Sequence, residues 1–249
     1  MTTYTMKQVY EYLGEHFVHI DVLSRQSGLS VEQLEQLIEH QCIPAASYEI
    51  VNSRSVRAHV NGAFSLKEAL LDRYFAPSVM AWIERAKPYL SQMSLPEVAL
   101  KLKSDFTCDL KLAISQACKA YAFTPEILRK NGDLDEAGFE EYAQSAWSHW
   151  AKGTYGVCVI NADCAERIAM KQLIVEQLSL LTDEGDKAAF DTHESQEVFR
   201  MIQLYNQYAM PFSPHDVEGS SRQRLVNNIL PRIEKELHHD GHPVFQSTS

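Results

Sequence analysis

The segment Met210–Leu225 holds the residues of this chain that are best suited to chemistry. It brings an imidazole, a carboxylate and two guanidinium groups close together in sequence, from His215, Asp216, Arg222 and Arg224. An imidazole exchanges protons near neutral pH, and a guanidinium binds carboxylate or phosphate through paired N–H groups. The segment therefore predicts a site for an anionic ligand, with His215 and Asp216 as candidate acid and base.

The helix predicted after this bend would begin with two positively charged side chains. The spacing of Ser220 and Gln223 is typical of a capping box and predicts a helix over residues 221–237. Both arginines then lie in its first turn, where positive charge is unfavourable because of the helix dipole. Two explanations stay open: a carboxylate of the bend, Asp216 or Glu218, neutralises the arginines, or a ligand anion does so.

The turn Gly153–Cys158 is the second candidate segment. Its glycines, at positions 153 and 156, permit a positive φ or a close approach of the backbone. It is not a phosphate loop, because no Gly-Lys-Ser or Gly-Lys-Thr ending follows it and no dinucleotide fingerprint is present. The preceding helix carries an aromatic stripe that ends in Trp147 and Trp150, which is typical of a core and also suits the wall of a cleft.

We therefore expect one pocket formed by the 153–158 turn and the 210–224 bend. In this pocket Tyr155 donates a hydrogen bond, His215 is the acid or base, and the two arginines hold the anion. The residues expected to bind the ligand are Trp150, Thr154, Ser220, Ser221, Arg222 and Arg224. The residues expected to be catalytic are Tyr155, His215 and Asp216.

Histidine and cysteine patterns predict no metal site. The cluster His238–His242 has suitable ligands for a divalent metal but lies beside the chain end, in a segment that we expect to be a mobile tail. Cys158 and Cys164 lack a second Cys or His pair at zinc-finger spacing. Cys158 is a candidate nucleophile only if His149 or the imidazole of the bend reaches it in the fold. No cofactor is assigned.

Composition places the chain among globular proteins and narrows its partners. It has 249 residues, 45% of them hydrophobic, and a formal charge of −10. Nucleic acids and anionic membranes attract proteins mainly through clustered Lys and Arg, so neither is an expected partner. No run of residues is apolar enough to span a membrane, and the five cysteines suit reduced thiols better than a disulfide framework. We therefore expect a cytoplasmic protein.

The N-terminal residues 1–62 show the pattern of a helix-turn-helix followed by a β-hairpin. Two short amphipathic segments flank Gly28, and the second of them begins at Ser30, a typical helix N-cap. The runs 47–51 and 56–60 are rich in residues that favour strands and enclose a polar turn. This layout is similar to the winged-helix DNA-binding domains of MerR-like and excisionase-like proteins.

This module differs from those domains in the charge of the helix that would contact DNA. Its second helix carries Glu32, Glu35 and Glu39, and residues 30–40 include no Lys or Arg. A recognition helix must neutralise phosphates and donate to base edges, and an acidic face repels the polyanion instead. DNA is therefore not an expected partner, and the module is predicted to pack within the protein or to contact a protein or peptide.

The rest of the chain is predicted to be helical over residues 63–237, with a tail over 238–249. A capping-box pattern at Ser65–Glu68 opens this region, and apolar residues recur at helical spacing as far as position 237. The expected fold class is mainly α: a winged-helix-like helix-turn-helix with one β-hairpin, followed by a multi-helix domain.

Four segments together carry a resemblance that spans nearly the whole chain: Pro44–Tyr48, Gly153–Val159, Met210–Asp216 and Ser220–Val226. They resemble an uncharacterised bacterial family labelled as natural-product biosynthesis proteins. The resemblance implies no reaction or catalytic residue, but it favours a small molecule or a carrier protein as the partner. Together with the arginines of the bend, this predicts an anionic small molecule or a carrier-bound substrate. Two hypotheses stay open. One is a ligand-binding protein or accessory enzyme of that metabolism, and the other is a non-catalytic protein that binds a protein partner through its acidic module.

Overall fold

The computed structural model describes residues 5–52, 55–58, 72–128, 133–213 and 216–239, and this part of the chain is mainly helical. It holds ten α-helices and one small antiparallel sheet. The N-terminal elements are α1 (Met6–His16), β1 (Val18–His19), α2 (Ile20–Ser27), α3 (Val31–Glu39), β2 (Tyr48–Asn52), β3 (Ser55–Ala58) and β4 (Asp72–Phe75).

The elements that follow are helical. They are α4 (Val79–Leu90), α5 (Leu95–Tyr121), α6 (Glu136–Ala151), α7 (Thr154–Cys158), α8 (Ala165–Leu181), α9 (Thr192–Tyr208) and α10 (Leu230–His239). A 3-10 turn over Asp183–Gly185 follows α8, and a π-helical turn over Gln223–Asn227 precedes α10. Helix α8 packs against both α5 and α9, so it lies inside the helical layer. Among the described helices none, not even α5, combines the length and the apolar character needed to cross a membrane.

Local sequence explains where the N-terminal helices begin and end. Ser30 accepts the N–H of Gln33, and the Gln33 side chain accepts the N–H of Ser30, so the predicted cap of α3 is a complete capping box. Gly28 ends α2 with a φ of +72°, a conformation that residues with a Cβ avoid. The predicted pair of short helices is confirmed, and so is the predicted hairpin, as β2 and β3.

The sheet is larger than the predicted hairpin. Its strand order is β1-β4-β2-β3, and all neighbouring strands are antiparallel. Strand β4 lies in the middle, where Tyr74 is opposite His19 on one side and Tyr48 on the other. The prediction that the chain is helical from residue 63 onward is therefore wrong for β4. Four residues are too few to show a clear strand period, and the hydrogen bonds that hold them come from strands distant in sequence.

The aromatic stripe of α6 forms the centre of the helical core. The ring of Trp150 lies 4.2 Å from that of Trp147 and 5.1 Å from that of Trp82, centre to centre. Phe106 of α5 contacts the same group at 5.6 Å from Trp147. Trp150 is only 1% exposed, so the stripe is core and not the wall of a cleft open to solvent.

The helix predicted over residues 221–237 is interrupted. Ser220 Oγ accepts the N–H of Gln223 at 3.3 Å, which is half of the predicted capping box. The Gln223 side chain instead bonds Asn227 and Asn228, and the π-helical turn separates this start from α10. Pro231 then lies in the first turn of α10, where its missing N–H leaves no helical bond unmade.

Some predictions fall on residues that the structure does not describe. These are the domain boundary at residue 62, the capping box at Ser65–Glu68, the side chain of His215 and residues 240–249 of the expected tail. They stay predictions.

Candidate functional site

A buried cluster of hydroxyl groups around Asp216 fastens the predicted bend to the N-terminal elements. Tyr48 Oη on β2 donates to Asp216 Oδ2 at 2.9 Å, and Ser213 Oγ donates to the same oxygen at 2.6 Å. Tyr12 Oη on α1 donates to the carbonyl of Pro211 at 2.7 Å. Asp216 is only 7% exposed. Its carboxylate is therefore an acceptor inside the protein, where it joins the bend to the sheet.

Both tyrosines of this cluster remain protonated at neutral pH. Burial raises the pKa of Tyr12 to about 12, and the nearby Asp216 carboxylate acts in the same direction. Burial also raises the pKa of Tyr48 well above its usual range, with further contributions from Tyr12 and Asp216. Both phenols are thus hydrogen-bond donors, which suits a structural cluster. The predicted roles of Asp216 and His215 as catalytic groups stay predictions.

The 153–158 turn packs against the chain before β2. Gly153 has a φ of +74°, and Ser47 Oγ donates to its carbonyl at 3.1 Å. A Cβ added to Gly156 would lie 2.8 Å from the Cβ of Ala76 and closer still to Ser47 Oγ. The close backbone approach expected at these glycines is present, and what approaches them is the protein's own chain.

The predicted site residues around this turn face the interior. Trp150 Nε1 and Thr154 Oγ1 are buried without a hydrogen-bond partner among the described residues. Tyr155 is buried, burial raises its pKa, and its ring meets His149 edge-on. A cavity of about 10 Å³ touches Trp150 and Tyr155, which is about the room that one water molecule needs.

Ser220 and Ser221, at the end of the bend, make hydrogen bonds to neighbouring parts of the chain. Ser220 Oγ donates to the carbonyl of Val217 at 2.7 Å while it caps the following turn. Ser221 Oγ shares a hydrogen bond of 2.8 Å with the hydroxyl of Tyr205 on α9. Both contacts hold the bend against helix α9 and the π-helical turn.

Arg222 is bound to α9. Its Nη1 donates to Asn206 Oδ1 at 2.9 Å and its Nη2 to the carbonyl of Ala209 at 3.4 Å. Its guanidinium lies over the Tyr205 ring, 5.3 Å from the ring centre. The remaining nitrogen, Nε, is buried and has no partner in the described ranges. The side chain of Arg222 therefore joins the bend to helix α9.

Arg224 points elsewhere and has free hydrogen-bonding capacity. Its Nη1 makes an ion pair with Glu184 and also donates to the Glu184 carbonyl at 3.2 Å and to Ser179 Oγ at 3.3 Å. Its Nε and Nη2 make no hydrogen bond to any described residue. The expectation that Asp216 or Glu218 neutralises the arginines is wrong, because the carboxylate partner of Arg224 is Glu184. The two guanidiniums thus have different hydrogen-bond partners.

Arg224 lines a cleft of about 370 Å³, which we call the Arg224 cleft. It lies between the loop after α5, helices α6 and α8, and the 3-10 turn. Its polar lining residues are Glu126, Tyr142, Glu176, Ser179, Glu184 and Arg224. None of the residues of the 153–158 turn lines it. The two segments do meet elsewhere, because the N–H of Met210 donates to the carbonyl of Cys158 at 3.4 Å, but only the bend contributes to the Arg224 cleft. The pocket predicted between the two segments stays a prediction.

Two groups of the Arg224 cleft have altered proton affinity. Burial raises the pKa of the Glu176 carboxyl, and the neighbouring Glu126 raises it further. Gln172 Nε2 approaches Glu176 Oε1 at 3.5 Å and acts in the opposite direction. Burial keeps the pKa of the Tyr142 hydroxyl high, and the nearby Glu176 acts in the same direction. The cleft is thus lined by the phenol of Tyr142, the carboxyl of Glu176 with its raised pKa, and a guanidinium of which only Nη1 is hydrogen-bonded to described residues.

Arg224 was predicted from the sequence as a ligand-binding residue, but the other polar residues that line its cleft were not predicted. Glu176 and Ser179 lie on α8, a helix with apolar residues on several sides. Such a helix is buried, so the polar residues on it are the ones that face a cavity or a partner. That signal was available in the sequence for Glu176 and Ser179. No sequence signal joins them to Tyr142 or Arg224, because those contacts are tertiary.

The carboxylates of the cleft do not form a metal site. No group of three or more His, Cys, Asp or Glu side chains in the described ranges is arranged to hold a metal ion.

Comparison with known proteins gives one match. A sequence model described as "Family of unknown function (DUF6058)" matches residues 103–234, which is more than half of the chain. No curated protein and no solved structure matches the chain. All six polar residues of the Arg224 cleft lie inside the matched segment. Tyr12 and Tyr48 lie outside it.

Proposed function

The chain belongs to DUF6058, a family of unknown function, and we propose that this member is a small-molecule-binding protein that holds an anionic group of its ligand on Arg224. One observation carries the proposal: Arg224 is fixed through Nη1 alone, while Nε and Nη2 remain without a partner among the described residues. Nε and Nη2 form one edge of the guanidinium, and this edge binds carboxylate or phosphate by two parallel hydrogen bonds. A guanidinium already held in place loses little side-chain entropy when it binds.

The shape of the Arg224 cleft supports this proposal. Its volume of about 370 Å³ falls in the range of roughly 300–1,000 Å³ that is usual for small-molecule sites. Ile127, Val175 and Leu180 supply apolar walls beside the polar groups. Leu180 is 61% exposed and offers apolar surface at the rim of the cleft.

The backbone that holds the partner of Arg224 is strained. Asp183 and Glu184 have φ values of +52° and +56°, in the left-handed region that costs residues with a Cβ roughly 1–2 kcal/mol each. The strained turn brings both the carboxylate and the carbonyl of Glu184 to one nitrogen of Arg224. Strain of this kind is often found where a binding site is held in one conformation.

A thermal-shift titration tests the proposal with wild type and Arg224→Ala. The probes are inorganic phosphate, small carboxylates and coenzyme A thioesters. A probe present at 100 times its Kd stabilises the fold by about 2.7 kcal/mol, which raises the Tm of a protein of this size by roughly 5–10 °C. We expect at least one anionic probe to do so with wild type. Arg224→Ala removes most of the shift, because charge-assisted hydrogen bonds contribute roughly 1.5–3 kcal/mol.

Arg222→Ala is the matched control, because it removes the same side chain two residues away from a position outside the cleft. It lowers Tm through the lost contacts with Asn206 and Tyr205 but keeps the shift caused by the probe. Arg224→Ala itself costs less than about 1 kcal/mol of stability, since its ion pair with Glu184 is largely exposed. A shift that survives Arg224→Ala, or no shift with any anionic probe, contradicts the proposal.

We further propose a setting for this ligand, on the basis of the four sequence segments that resemble natural-product biosynthesis proteins. The ligand is then a small molecule of bacterial natural-product metabolism, either free or bound to a carrier. Location in the cytoplasm is part of the same proposal, and the five unpaired cysteines are consistent with a reducing compartment.

A second candidate function rests on the acidic face of α3. We propose as the alternative that residues 1–62 form a winged-helix-like module that binds a basic protein partner. Glu32, Glu35 and Glu39 are all exposed, and hydrogen bonds with its own backbone and with Ser30 lower the pKa of Glu32. Arg73 pairs with Glu35 at 2.5 Å, which leaves Glu32 and Glu39 to attract a cation.

Fluorescence anisotropy with a labelled lysine-rich peptide tests this alternative. The expected result is salt-sensitive binding that weakens about fivefold or more in the double variant Glu32→Lys, Glu39→Lys. The control is the double variant Glu140→Lys, Glu141→Lys, which changes the net charge equally on exposed positions of α6. Equal loss in both variants means general charge attraction and removes the argument for the α3 face.

A further inference from the structure

We infer that the ligand of the Arg224 cleft carries an ammonium group beside its carboxylate, as an amino acid does, and that Glu176 and Glu126 bind the ammonium. This inference rests on the proposed function, because Arg224 supplies the carboxylate half of the recognition. It adds the chemical class of the ligand: an amino-acid-like zwitterion with an apolar side chain.

The charge balance of the cleft supports a ligand with a positive group. Three carboxylates line the cleft, those of Glu126, Glu176 and Glu184, against the single guanidinium of Arg224. Glu184 is neutralised by its ion pair with Arg224. Glu126 and Glu176 then remain as the excess negative charge. A ligand that is only anionic meets both of them, whereas a zwitterion satisfies both signs at once.

The two recognition points are close enough for one small molecule. Glu176 and Ser179 are three residues apart on α8, so their side chains are neighbours on one helix face, with Cβ atoms roughly 5–6 Å apart. Ser179 Oγ lies 3.3 Å from Nη1 of Arg224. The carboxyl of Glu176 and the guanidinium therefore lie about one helical turn apart. The ammonium and carboxylate groups of an amino acid are separated by few bonds, which suits such a spacing.

A bound cation near Glu176 would stabilise the charged form of its carboxyl, which the surroundings disfavour. Burial and the neighbouring Glu126 both disfavour the charged form of this carboxyl. The other titratable groups near it are Cys118 of α5 and Tyr142 of α6, and neither is a cation at neutral pH. An ammonium ion placed between Glu126 and Glu176 relieves their repulsion. The Tyr142 hydroxyl lines the same cleft and can accept a hydrogen bond from that ammonium.

The apolar walls indicate the side chain of the ligand. Ile127 and Val175 line the cleft next to its polar groups, and Leu180 lies at its exposed rim. A branched aliphatic side chain packed on these residues removes apolar surface from water. Leucine is therefore a suitable first probe.

Isothermal titration calorimetry with three matched probes tests the inference. L-Leucine carries both charges, 4-methylpentanoate lacks the ammonium group, and L-leucinamide lacks the carboxylate. We expect leucine to bind wild type at least about tenfold more tightly than either of the others, because each of them leaves one charged group of the cleft without a partner. In Glu176→Gln, leucine and 4-methylpentanoate become nearly equal.

The pH dependence gives a second readout. Glu176 has a raised pKa, so it becomes protonated as the pH falls from neutral toward acid, and its attraction for the ammonium disappears. Leucine affinity is expected to be full near pH 7 and to fall toward pH 4.5 in wild type. The Glu176→Gln variant should show a smaller dependence over the same range, because its amide does not titrate.

The outcomes separate this inference from the proposed function. If 4-methylpentanoate binds as tightly as leucine and Arg224→Ala abolishes both, the anion site stands and the ammonium inference fails. If leucinamide binds as tightly as leucine, the carboxylate anchor at Arg224 fails. Absence of binding by all three probes overturns the amino-acid class, and the anion site is then judged by the phosphate and thioester probes alone.

Discussion

Gly153→Ala is expected to lower the free energy of unfolding by more than about 4 kcal/mol, or to prevent folding. Gly153 has a φ of +74°, which alone costs a residue with a Cβ roughly 1–2 kcal/mol. The added Cβ would also lie 2.9 Å from the carbonyl oxygen of Ala46 and closer still to that of Ala45. Both atoms belong to backbone that cannot move without displacing β2. Urea unfolding followed by circular dichroism measures the loss.

Two other glycines separate the cost of the backbone angle from the cost of the clash. Gly28 has nearly the same φ, +72°, but no atom lies within 4 Å of its added Cβ, so Gly28→Ala should cost only roughly 1–2 kcal/mol. Gly14 lies in α1 with open space around it, and Gly14→Ala should stabilise the protein by roughly 0.5–1 kcal/mol. If Gly153→Ala costs no more than Gly28→Ala, the packing of the 153–158 turn on residues 45–46 is not what constrains this position.

Asp216→Ala is expected to destabilise the protein by about 3–5 kcal/mol. The change removes the acceptor of Tyr48 and Ser213 and leaves two buried hydroxyl groups without it. Loss of one partner in a buried charged cluster is costly, because the groups that remain cannot reach water. The measurement is again urea unfolding. Glu218→Ala is the control, because it removes an exposed carboxylate of the same bend and should change stability by less than about 0.5 kcal/mol.

A double-mutant cycle tests whether Asp216 acts through the tyrosine of the sheet. Tyr48→Phe and Asp216→Asn are made singly and together, and the expected coupling energy is about 1–3 kcal/mol. A coupling near zero contradicts the structural role of this cluster. The catalytic role predicted for Asp216 then becomes the better explanation of a carboxylate at this place.

Local features of the fold were predictable because their causes are local. The capping box of α3 depends on Ser30 and Gln33, and the end of α2 depends on Gly28. The α6 stripe that ends in Trp147 and Trp150 could be read as core because helical spacing places its members on one face. The hairpin β2–β3 followed from two strand-like runs separated by a short polar turn.

The sheet was only half predictable. Strand β4 has four residues, and its place between β1 and β2 depends on partners that are distant in sequence. The break before α10 has a similar origin. The Gln223 side chain bonds Asn227 and Asn228 instead of closing the predicted capping box, and a π-helical turn follows. Neither choice is visible in the spacing of apolar residues.

The sequence by itself determined the helical class, the acidic charge and the caps of α2 and α3. Only the tertiary structure decided which of the two arginines keeps N–H groups without a partner on one edge among the described residues. Arg222 and Arg224 are two residues apart and have the same chemistry, but the π-helical turn directs one to α9 and the other to the cleft beside α8. The tertiary structure also brought Glu126, Tyr142 and Glu176 to Arg224 from three separate segments. The physical reason is that charge and helix propensity are properties of single residues and near neighbours, whereas a binding site depends on distances between side chains that meet only when the core packs.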